Sequence, residues 1–308
     1  MVKECLQLLA PDAAPALLID GTLGEGGHTE AFLRSFADLT AIGIDADPII
    51  QAKAKVRLEP FADRVQFFLG WSDDFFARYP PTAQKPAIVL FDLGISLFHY
   101  LESGRGFSFR ASEPLDMRIN PESSVTAAHI INTYAENQLA DLLFGCAEER
   151  YSRSIARAIV AERQKAPFTD AQRLSEVIFH AVPPHYRHGA LHPATKTFQA
   201  LRIAVNSELE RLPNLLESAF RCLAEGGKMG VISFHSLEDR IVKHFFKSIA
   251  KSCICPPEVP ICKCGGVPRA EILTKKPIQP SQAEIHGNAP SRSARLRAVK
   301  KLHKDYPA

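Results

Sequence analysis

Four short, nearly all-apolar runs recur in the first hundred residues, and three of them end on an aspartate. They are Leu17-Leu18-Ile19-Asp20, Ala41-Ile42-Gly43-Ile44-Asp45, Val65-Gln66-Phe67-Phe68-Leu69 and Ala87-Ile88-Val89-Leu90-Phe91-Asp92. Residues 29–36 and 48–58, which separate them, carry helical spacing. Strands that are apolar on both faces, with helices between them, must be covered on both sides, and a parallel sheet wound with helices on each face meets that demand. The pattern predicts an α/β, doubly wound, Rossmann-like start. With 308 residues and 46% hydrophobic content, the chain can build one large or two ordinary domains. No apolar run reaches the roughly 18 residues needed to span a bilayer, and Met1-Val2-Lys3-Glu4 does not open like a secretory signal. A cytoplasmic protein with no membrane partner is expected.

The alternation stops near Tyr100. Residues 103–120 are polar and contain Gly and Arg, and helical spacings follow at Leu139, Leu142, Leu143 and Cys146, at Ile155 and Ile159, and at Leu174, Val177 and Ile178. This predicts a helical domain over 101–195, inserted into a sheet domain formed by 1–100 and 196–308. A longer helical pattern then runs from Phe198 to Leu223, with Pro213 expected to bend or divide it and Gly226-Gly227 to stop it. Met229-Gly230-Val231-Ile232-Ser233-Phe234 returns to the sheet, and Ile272-Leu273 and 296–299 are candidates for antiparallel strands at its edge.

Charge is uneven. Residues 240–308 hold 14 Lys and Arg against 4 Asp and Glu, although the whole chain is nearly balanced at 37 to 34. A basic surface of this kind fits a polyanion, whose counterions it displaces, or is simply solvated.

The richest local signal is Asp20-Gly21-Thr22-Leu23-Gly24-Glu25-Gly26-Gly27-His28, directly after the first strand. Glycines there let backbone approach a ligand. The dinucleotide spacing G-x-G-x-x-G is not matched, because Thr29 takes the third glycine's place. Asp45 stands where a carboxylate can accept hydrogen bonds from ribose hydroxyls. Asp20, Asp45 and Asp92 gather at one sheet edge, which suits the sulfonium of S-adenosylmethionine better than a pyrophosphate.

These residues also carry a resemblance. The glycine loop, Phe91-Asp92-Leu93-Gly94-Ile95-Ser96, Arg105-Gly106-Phe107-Ser108-Phe109 and Pro114-Leu115-Asp116-Met117-Arg118 are similar to successive motifs of one family. His192-Pro193-Ala194-Thr195-Lys196-Thr197-Phe198-Gln199-Ala200-Leu201-Arg202, Asn206-Ser207-Glu208-Leu209 and the run from Ser233-Phe234-His235 through Asp239-Arg240-Ile241-Val242 continue it in order. The family is the bacterial ribosomal small-subunit RNA cytosine-N4 methyltransferase H family, also called MraW. The resemblance implies a class I methyltransferase sheet with an inserted helical substrate domain. It also implies S-adenosylmethionine as cofactor, and methylation at N4 of a cytidine in small-subunit (16S) rRNA near the decoding centre. The substrate would be that rRNA or the assembled small ribosomal subunit; a homodimer is open. Carried over by motif, Gly26, Gly27 and His28 contact the cofactor, Asp45 holds its ribose, Trp71 lies near the adenine, and Asp92 lies at the methionine end. Leu97-Phe98-His99 departs from the family pattern and puts His99 in place of a cofactor-contacting Gln.

The cytosine amine is a poor nucleophile and needs an acceptor that turns its lone pair toward the methyl group. The Asp/Asn-Pro-Pro-aromatic motif of many amine methyltransferases is absent, which leaves Asp92 as the preferred acceptor. His235 is a second candidate; a loop-ordering or RNA-contacting histidine is the alternative reading. Arg118, Lys196, Arg202, Arg240, Arg292, Arg295 and Arg297 are candidates for phosphate or base contacts, against ordinary ion pairs. Cys253, Cys255, Cys262 and Cys264 could make a structural zinc site or stay four reduced thiols, and the C-x-C spacing leaves both open. Cys5, Cys146 and Cys222 read as small core residues. A non-catalytic, zinc-containing rRNA-binding assembly factor is the competing function. A nicotinamide oxidoreductase is disfavoured by the missing fingerprint.

Overall fold

The computed structural model describes residues 1–252, 255 and 266–302. Seven strands form one sheet: β1 (Ala16–Asp20), β2 (Leu39–Asp45), β3 (Val65–Leu69), β4 (Ile88–Asp92), β5 (Lys228–Ser233), β6 (Ala270–Ile272) and β7 (Arg295–Lys301), in the order β3-β2-β1-β4-β5-β7-β6. The first five are parallel and β7 is antiparallel to both neighbours. This is the doubly wound, Rossmann-like α/β sheet that the sequence predicts.

The chain lays β2 and β3 to one side of β1 and then crosses to place β4 on the other. The strand order therefore reverses between β1 and β4, and a crevice opens beyond their carboxyl ends. Both faces are buried, as the apolar runs require. Leu18 and Leu90 pack with Phe32, Leu33 and Leu58, whereas Leu17, Ile19, Val89 and Phe91 pack with Leu216 and Phe220. The antiparallel pair at 270–272 and 295–301 is present, but β7 is interior rather than an edge, and Leu296, Ala298 and Val299 are fully buried. Lys301, also buried, donates to the carbonyls of Phe220 and Arg221 (3.0 Å each) and so caps a helix end whose carbonyls lack partners.

Contacts divide the chain into two compact units, Met1–Gly94 with Arg211–Ala308, and Ile95–Glu210. Sequence reading placed the second boundary at 195/196. The helix Ala194–Val205 lies in the second unit instead, because Ala194, Phe198, Ala200, Leu201 and Val205 bury among Ile130, Leu139, Leu143, Ile155 and Leu174. That unit also holds the helices Ala127–Thr133, Glu136–Ala147, Ser152–Arg163 and Ala171–Ala181. In its glycine-bearing loop, Gly106 has φ +72, and a Cβ there would sit 2.3 Å from the Pro114 carbonyl oxygen.

Pro213 does not divide the helix Glu208–Cys222, which runs through it. The chain breaks earlier. The Asn206 side chain donates to the carbonyls of Arg202 (2.8 Å) and Met117 (2.9 Å), and Ser207 turns left-handed at φ +50. Cys5, Cys146 and Cys222 lie on helices, Cys5 fully buried and the other two half-buried. Among the described residues no helix is long and apolar enough to cross a membrane.

Candidate functional site

The first unit brings Gly26, Gly27, His28, Asp45, Trp71 and Asp92 to the carboxyl edge of β1–β4. Gly26 caps the helix Gly27–Ser35 in the left-handed region (φ +81), where a Cβ would also press on Leu58 at 3.1 Å. The loop is tied to the strand tips by side chains. Thr29 donates its hydroxyl to Asp20 (2.7 Å), the Gly24 N–H donates to Asp45 Oδ2 (2.8 Å), and the Asp92 N–H donates to the Thr22 hydroxyl (2.6 Å). Asp45 Oδ1 also accepts the Asp47 N–H (2.9 Å), while Asp47 caps the helix Pro48–Arg57 by accepting from Ile49 (2.9 Å). Asp45 thus braces the glycine loop.

His28 Nδ1 lies 3.6 Å from Asp92 Oδ2. The other atom of each group, His28 Nε2 and Asp92 Oδ1, is buried with no hydrogen-bond partner among the described residues. Burial pushes the Asp92 carboxyl up to about 7, with Glu238 and Glu284 reinforcing it against the Met1 amino group. Burial likewise raises Asp20, although His28 and the Thr29 hydroxyl oppose it. His28 is lowered by burial more than Asp20 supports it. The edge is therefore a cluster of acids short of positive charge. That arrangement fits a cationic ligand, such as S-adenosylmethionine, whose ammonium would donate hydrogen bonds and whose sulfonium would add positive charge.

Trp71 follows β3 and caps the helix Ser72–Ala77. Its neighbour Gly70 donates its N–H to the Asp45 carbonyl (2.8 Å), and the Ser72 hydroxyl donates to the Gly21 carbonyl. His99 falls in the second unit. There it is 3% exposed and packs edge-on against Phe98 and Phe107, with ring centroids 5.7 and 5.1 Å away.

His235 caps the helix Ser236–Ile249. It accepts the Glu238 N–H on Nδ1 (3.5 Å), while Glu238 accepts the Phe234 and His235 N–H groups (2.9 and 3.3 Å). Its Nε2 stands 3.1 Å from Glu238 Oε1. This is the loop-ordering alternative in physical form.

Most of the arginines singled out in the sequence are met by carboxylates or carbonyls of the chain. Arg118 makes a two-pronged pair with Asp116 (2.7 and 2.8 Å) and donates to the carbonyls of Pro121 and Ser123. Arg202 pairs likewise with Glu208 (2.9 and 2.8 Å). Arg297 and Arg295 share Asp239, at 2.6 and 3.3 Å. Lys196 donates to the Glu148 carbonyl (3.0 Å) at the end of the helix Glu136–Ala147. Arg240 and Arg292 are exposed. Of the four clustered cysteines, Cys253, Cys262 and Cys264 lie outside the described residues, and Cys255 is half-buried.

Sequence reading passed over Arg211, whose guanidinium lies over the Trp71 ring at 4.7 Å to the centroid. It also passed over Thr22 and Thr29, whose hydroxyls hold Asp92 and Asp20 in place. Only the threonines had a signal in the sequence, by standing inside the glycine loop or just after it.

The sequence model of the MraW methylase family matches residues 1–302. The chain is 61% identical over 302 residues to a Treponema denticola protein named ribosomal RNA small subunit methyltransferase H, covering 98% of this chain and 96% of that one. Proteins of the same name from Treponema pallidum and Heliobacterium mobile are 49% and 44% identical, over 98% of this chain and 91% and 97% of theirs.

Proposed function

The chain belongs to the MraW methylase family, and from that membership we propose that it methylates N4 of a cytidine in 16S rRNA near the decoding centre. Methylation of ribosomal RNA from S-adenosylmethionine is the coarser activity that the family and its named relatives carry. The observation that bears most of the finer reading is the unpartnered, buried oxygen of Asp92 at the point where the strand order reverses.

S-adenosylmethionine, when bound, supplies an electrophilic methyl group on a sulfonium. Gly26, Gly27 and His28 would line its methionine side, Asp45 would accept from its ribose hydroxyls, and Trp71 would meet its adenine. Asp92 accepts a hydrogen bond from the cytosine amine and so turns the nitrogen lone pair toward the methyl carbon. Methyl transfer would leave the cofactor as a neutral sulfide, and Asp92 would take the proton shed by N4 and pass it to water. A carboxyl held up to about 7 is suited to that exchange near neutral pH. In this reading His235 orders its helix, and exposed Arg240 and Arg292 face the phosphates. A cytoplasmic setting follows from the ribosomal substrate.

Small subunits from a strain lacking this enzyme, incubated with the protein and S-adenosylmethionine, should yield N4-methylcytidine by nucleoside mass spectrometry. Binding of the subunit without that product would favour the non-catalytic assembly factor. Structural zinc on Cys253, Cys255, Cys262 and Cys264 is a separate part of the reading. Metal analysis giving less than about half an equivalent would remove it.

A further inference from the structure

We infer that Arg211 is a positioning residue that fixes the indole of Trp71 as a flat platform for the purine ring of the cofactor. The inference rests on the reading of Trp71 as the adenine contact. Both chain neighbours of Trp71 are pinned to the strand tips, Gly70 through the Asp45 carbonyl and Ser72 through the Gly21 carbonyl. The backbone is thereby fixed beside the carboxylate proposed to hold the ribose, but the ring can still rotate about its side-chain bonds. Arg211, on the helix Glu208–Cys222, supplies the missing restraint.

Its guanidinium carbon lies 4.7 Å from the centre of the indole, and its Nη1 is 2.8 Å from each carboxylate oxygen of Asp73. Asp74 adds a second carboxylate at 3.8 Å. Ring and carboxylate belong to the same tight turn, two residues apart, so they grip one cation between them. An Arg211–Asp73 pair alone would tie the two helices together. Laying the planar cation against the indole fixes the ring plane as well, and it leaves the opposite face for a second aromatic ring. The guanidinium matters here as a flat surface, which a lysine ammonium cannot supply.

Trp71 is the single tryptophan of the chain, so its emission reports this position alone. Titration of the full chain with S-adenosylhomocysteine should change that emission saturably, with the same Kd that calorimetry gives. Arg211→Met should raise that Kd and the KM for S-adenosylmethionine roughly three- to tenfold while leaving kcat within about twofold. Arg211→Lys should fall between, because it keeps the charge and loses the plane. Asp73→Asn, which loosens the guanidinium without removing it, should move Kd in the same direction and guards against an Arg211→Met chain that does not fold. If calorimetry detects no binding to the unaltered protein, the cofactor reading itself falls, and this inference with it. If the ligand binds but the emission is unmoved, or the Arg211 and Asp73 variants bind as tightly as the parent, Arg211 has no positioning role and the cofactor reading stands.

Discussion

Two regions of the same sheet treat buried aspartates in opposite ways. At the β1–β4 edge, Asp20 and Asp92 are pushed upward by burial, and one oxygen of Asp92 has no partner among the described residues. At the β5–β7 pair, burial acts on Asp239 in the same sense, but the hydrogen bonds and charge of Arg297, then of Arg295, outweigh it and hold the carboxyl low. The residue type is the same and burial works in the same direction on both, but at Asp239 the arginines outweigh it. A charge met within the chain builds structure, and a charge left unmet waits for a ligand.

The sharpest break of this contrast is by substitution on each side. Asp92→Asn should lower methyl transfer by about 10²- to 10⁴-fold, the usual worth of a positioned acid or base, with no loss in thermal midpoint. Equal loss of activity and of fold would put Asp92 with Asp239. Conversely, Asp239→Ala strands two arginines, Arg297 among them only 9% exposed. It should cost about 3–5 kcal/mol in a urea melt while the folded fraction keeps its turnover.

Opposite slopes against pH sharpen the comparison further. A carboxyl whose folded value is raised binds its proton more tightly folded than unfolded, so its contribution to stability is lost as pH climbs from about 4 to about 7. Asp92→Asn should therefore gain on the parent over that window and stay ahead above it. Asp239 is lowered, so its contribution is full above the ordinary carboxylate range and disappears as pH falls through its folded value. As pH climbs, Asp92→Asn should rise and Asp239→Asn should fall relative to the parent, and relative shifts of the same sign would contradict this assignment.

Smaller effects belong to groups that are partly met. Asp45→Ala frees the Gly24 and Asp47 N–H groups and should weaken S-adenosylhomocysteine binding roughly tenfold, about the net worth of one charge-assisted hydrogen bond. Asp12 pairs with Lys228 and Lys300 (2.6 and 2.7 Å) but is itself half exposed. Asp12→Ala should cost under about 1 kcal/mol and less still at high salt.

Much of this was legible in residue order. Three apolar runs closing on aspartate are enough to place Asp20, Asp45 and Asp92 at strand ends, because a strand covered on both faces has nowhere else to put a carboxylate. The helical unit was legible from spacing, but its far boundary was not. Leu201 and Val205 look the same whether they pack on a sheet or on other helices. Nor does sequence spacing say that Ser207, rather than Pro213, turns the chain, since the signal is an Asn206 side chain bonded to a carbonyl 89 residues away.

By itself, the sequence determined the parallel sheet, its glycine loop and the family, because periodicity and motif spacing are local properties of a chain. Only the tertiary structure decided which charges are spent inside the molecule. In sequence Arg118, Arg202 and Arg297 stand open between RNA contacts and ion pairs, and in the fold each is closed on a carboxylate. One oxygen of Asp92 has no hydrogen-bond partner among the described residues, and Arg211 reached Trp71 from 140 positions along the chain. Pairing depends on distance in space, and for side chains far apart in the chain that distance is set by the packing of the elements that carry them.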